Sequence, residues 1–388
     1  FASMRCWADE AVAALAEMPS GPAEEEAGAP VPLLARDWRA EPFPGPGPEP
    51  SGRILCVLGD ERQGLAEAFA PAQVLKLRQG IDFTDVESAV AAVRELLDRG
   101  PVTGVLDLCA LAEGAEHEHD DGPWTARLAI LQQCLASRPA GGLRILQVTS
   151  GLQALPGVGP NPAGGRLSGF VRSLGAEYPW ARSTVLDTDR PQTLAELTDA
   201  WRDSSPYGEL VLRQGRRLRP VLEPVPVPSE ESSWEPRPDR VYLVTGGTRG
   251  LGALTARHLA RRGARRLAVL GLRPLPPRHE WARGELSGPE AEAVANIREL
   301  ERLGAQVMTH TGALTGRAEL AGFLSEVRTA LGPIGGVVHC AGRGTAGPAP
   351  LVHKDIAGIR RVLEPKGDGL DTLLELTEPD PLDFVVLF

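Results

Sequence analysis

At 388 residues the chain is too long for one ordinary α/β layer and long enough for two domains, each with its own core. Its 41 Lys and Arg against 51 Asp and Glu give a formal charge of -10, which argues against a nucleic-acid surface as the main function. The five scattered cysteines (Cys6, Cys56, Cys109, Cys134, Cys340) form no zinc or redox motif, no run is long enough to span a bilayer and there is no secretory signal, so the expected setting is soluble, reducing and cytoplasmic.

Residues 1–32, with a helical pattern at Glu10 to Met18, read as a linker or the tail of a preceding domain. Leu33 to Trp38 predicts an edge strand, and Pro42 to Pro50 a proline-glycine spacer. Strands are then predicted at Ile54–Leu58, Val74–Leu77, Gly104–Leu108, Leu143–Val148 and Ser183–Leu186. Helices alternate with them at Gly64–Ala70, Val86–Leu97, Trp124–Leu135, Gly165–Glu177 and Leu194–Trp201, and Leu210–Arg213 with Arg217–Leu222 closes the unit as a hairpin. That alternation implies a mostly parallel sheet covered on both faces. After the first strand the run Gly59 to Gly64 carries two acids and no phosphate-binding glycine turn, so residues 33–223 are expected to form a Rossmann-like structural unit without a cofactor.

Residues 224–239 read as a Pro/Ser/Glu-rich linker, and 240–388 as a second α/β unit. It opens on a strand, Val241 to Val244, that runs into Thr245-Gly246-Gly247-Thr248-Arg249-Gly250-Leu251-Gly252 and then a helix from Ala253 to Arg262. Gly246 can adopt backbone angles closed to other residues, and Gly250 and Gly252 let main chain approach a ligand and helix pack on strand. The helix start offers unpaired N–H groups where a pyrophosphate can sit. Strands follow at Arg266–Leu270, Gln306–Thr309, Gly336–His339 and Asp383–Leu387, with helices at Pro289–Leu303, Leu320–Leu331 and, interrupted near Pro365, Ile356–Leu376. The opening at Phe1 and the apolar end at Phe388 lead us to expect a piece of something longer.

The turn spacing Thr-Gly-x-x-x-Gly-x-Gly resembles that of short-chain dehydrogenases/reductases. From about Leu33 onward the chain resembles the ketoreductase region of modular polyketide synthases. The resemblance rests on Gly169 to Pro179 and the Leu-Arg-Pro ending near Leu218. In the second half it rests on the glycine turn, Gly336 to Gly342, and Val362 to Gly369. Gly271 to Trp281 resembles the corresponding loop of synthases that use a separate acyltransferase. The fold implied is two tandem Rossmann-like subdomains, the second a truncated short-chain dehydrogenase/reductase fold. The implied reaction is NADPH-dependent reduction of a β-ketoacyl thioester on the phosphopantetheine arm of an acyl carrier protein. Neighbouring synthase domains are further partners, with a homodimer through the parent synthase and neither nucleic acid nor membrane.

The resemblance assigns residues 245–252 (Thr245, Gly246, Gly247, Thr248, Arg249, Gly250, Leu251, Gly252) to the nucleotide. It assigns Arg273 to a 2′-phosphate, Ala341 and Gly342 to the turn beside the nicotinamide ribose, and Lys366 to catalysis, on the helix before the fifth strand. Ordinary solvated charges are the alternative for Arg249, Arg273 and Lys366. Where the family places an adenine-contacting acid, this chain has Ala313, and Gly316 replaces a second acid. A Leu-Asp-Asp run tied to one stereochemical class is replaced by Arg343 to Pro348. The catalytic serine, tyrosine and asparagine are expected beyond Phe388. The alternative function is a catalytically inactive ketoreductase-like domain that organises a synthase module, and a weaker one is a free-standing alcohol dehydrogenase. No metal site is expected: His117 to Asp121 reads as a solvated acidic loop, His339 as a strand-end group that packs or hydrogen-bonds rather than a base, and Ser150 lacks the partners of a hydrolase nucleophile.

Overall fold

A computed structural model describes residues 33–42, 47, 49–58, 64–78, 85–111, 122–156, 158–189, 193–203, 208–225, 234–281, 286–344 and 349–388. The expectations for Glu10–Met18, for residues 59–63 and for His117–Asp121 concern residues outside that set. The chain divides into two units, Phe1–Val227 together with Pro350–His353, and Pro228–Ala349 together with Lys354–Phe388.

In the first unit the strands are β1 (Leu33–Ala40), β2 (Arg53–Leu58), β3 (Gln73–Arg78), β4 (Gly104–Asp107), β5 (Leu143–Ser150), β6 (Ala181–Thr188), β7 (Glu209–Arg213) and β8 (Arg216–Val225). The helices are α1 (Leu65–Ala68), α2 (Val86–Asp98), α3 (Gly122–Ser137), α4 (Gly165–Glu177) and α5 (Leu194–Arg202). The sheet order is β1-β8-β7-β6-β5-β4-β2-β3, parallel from β3 through β7, with β8 antiparallel to both β7 and β1. The edge strand and the closing hairpin therefore lie where the apolar pattern puts them. Local chemistry sets the helix starts: the Asp85 carboxylate accepts from Ser88 N at 2.7 Å, and Thr193 with Glu196 forms a reciprocal capping box. Trp201 packs edge-on against Phe69 at 5.6 Å and Trp124 stacks on Phe170 at 6.3 Å, so both tryptophans serve the core.

The polar ends of this sheet are filled from within. At the end of β4, beside the point where strand order reverses between β2 and β4, buried Asp107 accepts from Arg127 Nε at 2.9 Å and from Cys109 N at 3.0 Å. At the end of β6, Asp187 accepts from Thr149 Oγ1 at 2.7 Å, Leu152 N at 2.9 Å, Gln153 N at 3.0 Å and Arg213 Nη2 at 2.5 Å. Among the described residues, these two strand ends are paired by side chains of the unit itself.

The second unit contains β9 (Val241–Thr245), α6 (Gly250–Arg261), β10 (Arg266–Gly271), α7 (Gly288–Arg302), β11 (Gln306–Thr311), α8 (Arg317–Leu331), β12 (Ile334–His339), α9 (Ile356–Leu363), α10 (Asp368–Thr377) and β13 (Phe384–Leu387). Its all-parallel order is β11-β10-β9-β12-β13, which makes β9 central and puts the reversal between β9 and β12. Every residue of β9 is buried, and its alternate side chains enter two cores. Tyr242 and Val244 meet Ala256 and Leu259 of α6 and Ile297 of α7, while Val241 and Leu243 meet Leu324 and Val327 of α8 and Leu373 of α10.

Two features depart from the sequence reading. Residues from 240 onward were expected in one unit, yet Pro350–His353 groups with the first. There Leu351 is buried, its amide donates to Glu177 Oε1 at 2.6 Å, and its carbonyl accepts from Gln132 Nε2 at 2.7 Å. Lys366, expected on a helix, sits in the turn between α9 and α10. Pro365 ends α9, and the amides of Lys366 and Gly367 both close onto the Leu363 carbonyl at 2.9 Å.

Candidate active site

The loops at the C-terminal ends of β9, β10, β11 and β12 surround a cleft of about 770 Å³ in the second unit. Its floor is the glycine turn. Gly246 has φ 66°, and a Cβ there would lie 2.7 Å from the Cys340 carbonyl oxygen, so the turn meets the end of β12 with no room for a side chain. Gly250 has φ 56° and would carry a Cβ with no atom within 4 Å, so it faces open space.

Three contacts hold this floor. Gly247 N donates to Leu270 O at 3.2 Å, Asn296 Nδ2 on α7 donates to Thr248 O at 3.0 Å, and Ala341 N donates to Thr245 Oγ1 at 3.1 Å. Thr245 Oγ1 also lies 2.9 Å from His339 Nδ1. That oxygen accepts from Ala341 and keeps a second lone pair as well as its own proton, so it can serve either tautomer of the ring. Burial lowers the His339 pKa below its ordinary value, the Lys366 charge lowers it further, and the Pro365 carbonyl opposes both. Among the described residues Nε2 itself finds no partner in hydrogen-bond geometry. The ring is therefore a neutral brace for the strand ends.

The start of α6 presents the N–H groups of its first turn with no acid among those residues and no side-chain cap. Arg249 at the N-cap and Arg273 beyond β10 line the same cleft. First-turn amides with no side-chain cap, two guanidiniums and an open glycine make a donor set suited to a phosphorylated dinucleotide. Of the residues singled out from sequence, Thr245, Gly246, Thr248, Arg249, Gly250, Leu251, Gly252, Arg273, Ala341 and Gly342 all line the cleft. Gly247 is buried beneath it, where a Cβ would lie 2.9 Å from Val244 O. Lys366 is exposed beside it; a Cβ on Gly342 would touch its Cε at 3.4 Å, and Nζ donates to the Phe388 carbonyl at 3.0 Å.

Sequence reasoning missed Asn296, Thr315 and Glu364. Glu364 and Thr315 line the wall next to Ala313, and the Thr315 hydroxyl donates to Glu364 Oε1 at 2.9 Å. Motif spacing carries no signal for either contact, since the partners are 48 and 49 residues apart. Among the described residues no cluster of His, Cys, Asp and Glu is fit for a metal ion, and no helix is long and apolar enough to cross a membrane.

A five-stranded parallel sheet ordered around β9, with a glycine turn at its reversal point, defines the second unit as a short-chain dehydrogenase/reductase fold. Residues 240–388 match the family model described as the KR domain, and residues 37–222 match that of the polyketide synthase extender module SpnB Rossmann fold domain. The chain belongs to the ketoreductase domains of polyketide synthases, with a structural and a catalytic subdomain.

Polyketide synthase PksL of Bacillus subtilis is 32% identical over 365 residues, covering 92% of this chain and 8% of that protein. The 5-methyl-1-naphthoate synthase of Streptomyces sahachiroi is 33% identical over 232 residues, covering 57% and 12%. The chain thus spans about a tenth of the length of these relatives. Among solved structures, A-type ketoreductases from a modular polyketide synthase superpose with a TM-score of 0.69 at 27% identity, covering 92% of this chain and 74% of theirs. An A1-type ketoreductase gives 0.68 at 28%, covering 92% and 73%. Ketoreductase domains of this family are oxidoreductases that bind NAD(P)H.

Proposed function

We propose that this chain takes NADPH in the cleft and reduces a β-ketoacyl thioester, carried by an acyl carrier protein of the same synthase, to the β-hydroxyacyl thioester. The supporting observation is the position of Arg273 at the cleft wall after β10, where a guanidinium pairs with a 2′-phosphate while a carboxylate would favour the unphosphorylated ribose. When bound, NADPH supplies the hydride that goes to the β-carbon. The α6 amides and Arg249 hold the pyrophosphate, and the backbone at Ala341–Gly342 passes the nicotinamide ribose. Lys366 brings positive charge to the end of β12, where it favours proton delivery to the developing alkoxide. A cytoplasmic synthase is the setting that fits this chemistry. The replacement of the Leu-Asp-Asp run by Arg343 to Pro348 supports the A-type side of the family's stereochemical division.

The test is nucleotide titration of the synthase polypeptide that carries this domain, followed by carrier-bound ketone reduction read by mass spectrometry of the acyl chain. Wild type is expected to prefer NADPH over NADH, and R273A to weaken NADPH alone by about tenfold to a hundredfold, the worth of a charge-assisted phosphate contact. A second reading, a noncatalytic domain that arranges its neighbours, is supported by Ala313 and Gly316 in place of acids. Absence of NADPH uptake by wild type would establish that reading over the first.

A further inference from the structure

The wall of the cleft after β11 offers a nucleotide base little at the residues that follow the strand. Gly312, Ala313 and Leu314 all line it, and none has a polar side chain. A carboxylate nevertheless reaches this wall from another element. Glu364, the C-cap of α9, lines the cleft together with Thr315, and the Thr315 hydroxyl holds its Oε1 at 2.9 Å. A carboxylate has about four lone-pair sites, and among the described residues Thr315 is the one partner that fills any of them. Pro365 follows directly and Gly369 N closes onto the Glu364 carbonyl at 2.8 Å, so the backbone that carries the side chain is fixed as well. Glu292 also reaches the cleft, but it is exposed on α7 with no hydrogen bond to fix it among the described residues.

Resting on the reading of this cleft as an NADPH site, we propose that Glu364 reads the adenine by accepting a hydrogen bond from its exocyclic amine, with Thr315 as its positioning residue. Base recognition has moved from the residues after β11 to the end of α9. An acceptor held on one side tells an amine from a carbonyl, because the carbonyl oxygen brings a second acceptor against the carboxylate. Ala313 leaves the base room at this wall, and Glu364 supplies the polarity.

The measurement is affinity, by fluorescence of the reduced nicotinamide, for NADPH and for its analogue with hypoxanthine in place of adenine, in the synthase polypeptide that carries this domain. Wild type is expected to bind NADPH about tenfold or more tightly over the analogue, the worth of a hydrogen bond to a charged group. E364A abolishes the difference, E364Q keeps part of it through its amide oxygen, and T315V reduces it by loosening the carboxylate. The NADPH-over-NADH preference stays in E364A, since it belongs to Arg273. Equal affinity of wild type for the two nucleotides, a preference that survives E364A, or one lost in E292A instead, overturns this inference alone. A wild type that takes up no NADPH overturns the reading of the cleft and this inference with it.

Discussion

Gly246 and Gly250 stand four residues apart, and the structure uses each for a different reason. Both have positive φ, 66° and 56°, so an alanine at either site carries the steric cost of a left-handed residue, about 1–2 kcal/mol. At Gly246 the new methyl also meets the Cys340 backbone, with O at 2.7 Å and C at 2.9 Å, and neither atom can swing aside as a side chain would. At Gly250 nothing lies within 4 Å, so the methyl enters the cleft instead. We therefore expect G246A to lower unfolding stability in urea by more than G250A. G250A is expected to lower NADPH affinity in a protein that still unfolds cooperatively. If the two variants lose equal stability, the close approach of the turn to β12 is not what requires glycine at 246.

At the scale of an element, the end of β12 shows how a buried titratable group ties strand geometry to pH. His339 bridges to β9 through Thr245, and its pKa is held down first by burial and then by Lys366. In the unfolded chain the imidazole titrates near 6.5, so between that value and the lower folded one the unfolded state binds more protons. The stability contributed by keeping His339 neutral is fully present above about 6.5 and is lost as pH falls through the folded pKa. Urea unfolding from pH 7.5 to 5 should show wild type losing more stability than H339Q. Parallel pH profiles for the two proteins would rule out this brace as a source of acid sensitivity. The elements themselves were legible in the sequence, because strands buried on both faces read as apolar runs and α2 and α7 keep a helical period. The brace was half legible: His339 read as a strand-end group that packs or hydrogen-bonds, while Thr245 was assigned to the nucleotide and its hydroxyl also contacts His339 and the Ala341 amide inside the fold. Thr315–Glu364 was not legible at all, since it depends on where Pro365 turns the chain.

Across the whole molecule the two sheets differ less in architecture than in what fills their polar ends. In the first, Asp107 with Arg127 and Asp187 with Arg213 are buried ion pairs, whereas the second leaves its strand ends open as the cleft. The run Gly169 to Pro179 made the first unit recognisable from sequence, yet what Glu177 and Tyr178 hold there was hidden, because their partners lie 174 residues further on. Glu177 Oε1 accepts from both Leu351 N and Tyr178 Oη, at 2.6 and 2.9 Å, while Tyr178 Oη accepts from Val352 N at 3.1 Å. Burial pushes the Tyr178 pKa up to about 12; the Val352 amide opposes that rise and Glu177 adds to it, so the phenol keeps its proton and can both donate and accept. Segment Pro350–His353 should therefore exchange its amide protons as part of the first unit. With E177A the Leu351 amide is expected to exchange faster by about tenfold or more, since its acceptor is charged. Y178F should speed the Val352 amide by a smaller factor, because that acceptor is neutral. Hydrogen exchange read by mass spectrometry on peptides covering 349–356 decides the matter. Rates unchanged in both variants would mean that buried Leu351 alone anchors the segment, and that the three polar contacts follow from its packing.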